Sequence, residues 1–128
     1  MNPIKGDTNV PVEIAKDMVS AYASEASKYP KSYTKAVWFP ADQILEIAKT
    51  LSDGKHDGLR IYFGQYTAES LDGLPKEFEG RNTALLVPTY AAGFKNSLGD
   101  PTEEHEDDID DIGNRGELCP SMCAGAVL

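Results

Sequence analysis

Cysteine is scarce in this chain. Its 128 residues include only Cys119 and Cys123, four positions apart, which is no basis for a disulfide-built scaffold. Long apolar runs are missing too. The longest reach four or five residues, far short of the roughly 20 a membrane helix requires. The start, M-N-P-I-K-G-D-T-N, carries no apolar core of the kind a secretory leader uses. These absences exclude a membrane partner and set the cytoplasm as the expected location.

Positive charge is also short. Lys and Arg total 12 against 21 Asp and Glu, for a formal net charge of -9. Phosphate contacts need concentrated positive charge, so nucleic acid is excluded as a partner through any broad basic face. With two histidines, few groups can serve as a catalytic base. No G-x-S-x-G elbow, P-loop or G-x-G-x-x-G fingerprint occurs, and no cofactor is implied. Carboxylates are plentiful, but abundance supplies neither the spacing nor the burial that acid–base chemistry needs. The expectation is a protein that is not an enzyme.

An apolar fraction of 41% in a chain of this length fits a single domain, 1–128, with its own core. The acidic excess is local: Asp100 to Asp111 holds eight acidic residues and no Lys or Arg, leaving 13 against 12 elsewhere. A flexible acidic segment at about 100–112 and a Cys-containing C-terminal segment, 113–128, are expected on a nearly neutral body.

The body is organised around Asp57 to Tyr66. Leu59, Ile61 and Phe63 alternate with Arg60, Tyr62 and Gly64, the period of a strand with one buried face. Asp57-Gly58 supplies a turn before it, and Gly64 marks a bulge, a bend or a close backbone approach. Lys35 to Phe39 and Asn82 to Thr89 are further strands. Both lie near enough in sequence to pair with the first, and the nearly continuous apolarity of the later one suits a central position. Pro88 belongs near its end.

Two helices complete the pattern. From Val12 to about Lys28, Ala15, Met18, Tyr22, Ala26 and Tyr29 recur at three- and four-residue spacing, widened by Ile14 and Val19. Asn9 can cap this helix, Pro11 fits its first turn and Pro30 ends it. From Ala41 to Leu51, Ile44, Ile47, Ala48 and Leu51 form an apolar face, and Gly54 is available for a left-handed stop. Thr67 to Gly80 reads as a loop with a short helical turn around Ala68 to Leu71. The fold class is therefore α+β: two amphipathic helices packed on a small mixed or antiparallel sheet of at least three strands.

Three constellations carry candidate chemistry. Arg60, Tyr62 and Tyr66 can share one strand face, with Arg81 approaching from the next strand, a set able to recognise a carboxylate, phosphate or aromatic group. Equally, it can snorkel over the body with its polar tips in water. Cys119 and Cys123 can be reduced packing residues, a local disulfide, or two metal ligands, the last needing help from His105 and carboxylates. The acidic run starts acceptably as a calcium loop at Asp108 and Asp110. Ile112 then takes a ligand position and Cys119 the place of the final Glu, so the match is poor. His56, beside Lys55 and Asp57, is expected to be exposed, and Trp38 to be core.

The function these features favour is an interaction module, engaging a protein partner or a small polar ligand. It should show a concave or flat apolar patch flanked by Arg60 and tyrosines, or an ordered acidic segment. The alternatives are a small thiol- or metal-dependent protein centred on Cys119 and Cys123, and a structural oligomer subunit using an exposed strand edge or helix stripe.

Overall fold

A computed structural model describes residues 9–128. Pro11 starts the first helix, α1 (Val12–Ala26), from the cap position, with φ at -58°. Its missing N–H leaves nothing unsatisfied there, so Asn9 stays outside. No residue of α1 is fully buried. The helix leans on the body through Tyr22, whose hydroxyl donates to Thr34 O at 3.0 Å and whose ring lies 6.0 Å from that of Tyr33. Ile14 and Met18, expected on a packed stripe, are exposed.

The second helix, α2 (Ala41–Leu51), follows a short strand, β1 (Ala36–Trp38). It ends through Ser52, and Gly54 takes the expected left-handed conformation with φ at 81°. A ten-residue strand, β2 (His56–Gln65), then pairs antiparallel with β3 (Asn82–Tyr90). Between them lie 3₁₀ turns at Ala68–Ser70 and Lys76–Phe78. Asp57-Gly58 does not precede the strand as a turn. It lies inside β2, where the register shifts between His56 and Gly58. Gly64 is an ordinary strand residue opposite Thr83, with open space where a side chain would stand.

The chain forms an α+β fold with helices on two sheets. One sheet has three antiparallel strands in the order β2-β3-β4, where β4 is Glu106–Asp107. The other pairs β1 with β5 (Glu117–Cys119). The expectation that Lys35–Phe39 joins β2 is thus corrected: β1 binds a strand from the far end of the chain. The acidic segment, expected as a flexible arm, enters the sheet, with β4 beside the end of β3 and Asp108 N–H donating to Pro88 O at 2.8 Å.

The core is small and is drawn mainly from β3 and β5. Leu86, Val87, Ala84 and Pro88 of β3 are buried, as are Leu118 and Cys119 of β5. Side chains stitch the two sheets together. Thr34 Oγ1 donates to Asn82 O at 2.6 Å, and Asn114 Nδ2 donates to Ala84 O at 2.6 Å. Gly116 is required by packing, since a Cβ there would overlap Val37 Cγ1 and press on the Phe39 ring. Trp38, expected in the core, is 58% exposed because β1 is short and its outward position is uncovered. Among the described residues, no helix is long and apolar enough to cross a membrane.

Candidate functional site

The residues expected to form one recognition face fall into two places. Arg60 and Tyr62 lie on one face of β2, and both reach Asp107 of β4. Arg60 Nη1 donates to Asp107 Oδ1 at 2.6 Å and to His105 O at 3.0 Å, and the Tyr62 hydroxyl donates to Asp107 Oδ2. The carboxylate bond raises the Tyr62 pKa above its ordinary value and raises Arg60 likewise. Tyr66 is elsewhere. It is buried just past the end of β2, its ring 6.1 Å from Phe78. Arg81 joins that second place, 5.9 Å above the Phe78 ring. It donates to Thr34 Oγ1 at 3.2 Å and to Pro120 O. Burial lowers its pKa. No shared four-residue face exists.

Sequence reasoning missed a clasp built on His56. Its side chain is 6% exposed, not open to solvent as expected. Nδ1 lies 2.7 Å from Asp53 Oδ2, Nε2 lies 3.0 Å from Asp108 Oδ2, and the ring stacks on Tyr90 at 4.5 Å. Burial alone would push the His56 pKa down, but the bonds to Asp108 and Asp53 outweigh it and hold the value above normal. The neighbouring Asp57 accepts from Thr89 Oγ1 at 2.6 Å and meets His105 Nδ1. Burial would raise its pKa, yet Thr89 and His105 together leave it lowered. The run D-G-K-H-D from Asp53 to Asp57 held half of the signal, Asp53 three residues before the histidine, while Asp108 comes from a distant part of the chain.

Arg60, His56 and His105 are therefore all engaged with carboxylates of this same chain. None of the three side chains is left free to meet an anionic ligand. Beside the clasp, a cleft of about 250 Å³ lies between Asn96–Leu98 and the acidic segment. Asn96 Nδ2 spans it to Glu106 Oε2 at 2.9 Å.

The cysteines have a different fate from a metal site. Cys119 and Cys123 are joined in a disulfide. His105, the expected third ligand, bonds to Asp57 and Glu104 instead. Among the described residues, no group of three or more His, Cys, Asp or Glu side chains is placed to hold a metal. The disulfide loop borders an open groove of about 610 Å³ with Trp38 and Met122.

The remaining feature is the outer edge of β2. Leu86 exchanges both backbone bonds with Gly113 at 2.8 Å, and Pro88 O accepts from Asp108. Leu86 and Pro88 thus turn their polar groups away from β2. In an antiparallel ladder the residue opposite does the same, and those residues are Ile61 and Leu59. With Phe63, in the same alternation, they aim their N–H and C=O groups outward. Strand order places no neighbour there, and among the described residues no other backbone group bonds to them. Phe63 is 94% exposed and Ile61 54%. Their side chains share the Leu86 face, which α2 overlies, since Gln43 and Leu86 both border Gly113.

Compared with protein-family models, curated proteins and solved structures, the chain matches none.

Proposed function

We propose that the chain is a non-enzymatic interaction module that binds a protein partner by accepting a strand at the edge of β2. One observation carries this: three alternate residues, Leu59, Ile61 and Phe63, aim outward main-chain groups that no other described residue pairs, beside an exposed aromatic ring. Main-chain bonds give such a site affinity, and alternate side chains give it selectivity. A small polar ligand is the weaker choice, because Arg60 and Tyr62 are already committed to Asp107. The clasp supports the module in another way. It ties the acidic segment to the opposite side of the sheet and leaves the β2 edge clear.

Titrating the purified chain with a short extended peptide of alternating Val and Thr tests strand acceptance. Binding should vanish when peptide nitrogens facing β2 are methylated and persist when the alternate set is methylated. Equal effects of both methylation patterns, or no binding of the parent peptide, would reject this mode of recognition.

A second reading rests on the Cys119–Cys123 bond. Closing so short a loop beside β1 points to a staple, and thiol chemistry would begin only after reduction. The bond also bears on location. A cytoplasmic setting, expected from composition, requires the disulfide to survive a reducing poise, whereas an oxidising compartment would keep it formed. Mass spectrometry of protein alkylated at harvest decides: two alkylated thiols favour the cytoplasm, an unmodified pair the oxidising compartment.

A further inference from the structure

The occupant of the β2 edge can be narrowed, on the premise that the edge accepts a strand at all. We propose that it is β2 of a second copy of this chain, paired antiparallel about Ile61 to give one continuous six-stranded sheet. The outward set Leu59, Ile61 and Phe63 is symmetric about its middle member. A two-fold axis there sets Ile61 against its own copy and Leu59 against Phe63, all on the α2 face. Each of these facing pairs can exchange two main-chain bonds. On the other face Arg60 comes opposite Tyr62, a favourable cation–aromatic pairing that leaves the Asp107 contact in place.

Charge permits the pairing. Arg60 is the only charged residue from Gly58 to Gln65, and it is already balanced by Asp107. The acidic segment that supplies most of the net charge lies at the β4 edge. Across the joined sheet the two β4 strands would stand roughly 24 Å apart at ordinary strand spacing. That is more than twice the screening length of about 8–10 Å in physiological salt. The usual guards of an edge are also missing: Gly58 to Gln65 contains no Lys and no Pro, and the one bulge is at the far end, beside His56.

Area sets the strength. A fully buried Phe removes roughly 150–250 Å² from water, whereas a standard interface takes roughly 800 Å² from each partner. Phe63, Ile61 and the strand backbone therefore make a small interface, so the copies associate reversibly and in a concentration-dependent way.

Sedimentation of the full chain over a concentration series is the test. The expected result is a monomer–dimer equilibrium that Phe63→Lys abolishes and Trp38→Lys, an exposed change elsewhere, leaves intact. Under mild oxidation Ile61→Cys should form a covalent dimer through position 61 alone, because the facing Cα atoms of such a pair lie about 5.5 Å apart, within disulfide reach. The native cysteines are already paired with each other. A wild-type chain that stays monomeric throughout, or a dimer unaffected by Phe63→Lys, overturns the proposal. If the monomer nevertheless binds the Val/Thr peptide with the expected methylation pattern, only the self-pairing is wrong and the strand-accepting edge stands.

Discussion

His56 holds the acidic segment against the turn after α2 by bonding Asp53 and Asp108 with its two ring nitrogens, an arrangement that favours its protonated form. Its raised pKa fixes the sign of a pH effect. The stabilisation is complete below the ordinary histidine value of 6.5 and is lost as pH rises through the higher folded value. Thermal unfolding midpoints from about pH 5 to about pH 9 should fall for the wild type and stay flatter for His56→Gln. Asp57 works in the opposite window. Its lowered pKa contributes stability above 3.8 that disappears as pH falls through the folded value. Asp108→Asn should cost about 1–3 kcal/mol, because it withdraws the carboxylate from a buried ring. Chemical denaturation at neutral pH would measure it, and a change near zero would show that Asp53 alone satisfies the imidazole.

The elements differ in how tightly their neighbours constrain them. Gly116 meets Val37 and Phe39 with no room for a methyl group, so Gly116→Ala should destabilise by about 1–3 kcal/mol through overpacking of the β1–β5 pair. Opening the Cys119–Cys123 loop with a double Ser replacement should cost about 2 kcal/mol by loop-closure entropy. Differential scanning calorimetry would check both. The same contrast explains what the sequence disclosed. The helices and the β2–β3 pair were legible because three- to four-residue periodicity and strand alternation are local signals. The partner of β1 was not, since Ala36 meets Cys119 across most of the chain and three residues carry no register information. Glu106 and Asp107 have no strand character of their own; the end of β3 and the reach of Arg60 hold β4. Tyr66 follows the alternation of Arg60 and Tyr62, but β2 stops at Gln65 and Tyr66 turns instead to Phe78. The candidate site was legible only as a strand. That Ile61 and Phe63 would remain uncovered depends on how far α2 extends over the sheet, which no local pattern encodes.

For the molecule as a whole, stability and association should separate. Phe63 is almost wholly exposed, so Phe63→Lys should change the unfolding free energy of the monomer by no more than about 0.5 kcal/mol. Denaturation of dilute protein measures that quantity, and a larger loss would mean that the ring packs within the fold. Sheets with two bare sides can recruit copies at both and lengthen into fibrils. Here the far side ends in Glu106 and Asp107, a strand only two residues long with like charges along it. An incoming copy would meet repulsion and almost no ladder to join. If β2 pairs with its own copy as proposed, that two-fold contact uses up one side of the sheet, the short β4 closes the other, and assembly would end at a pair. On that proposal the acidic segment would act as a stop against polymerisation, written in the same residues that give the chain its charge.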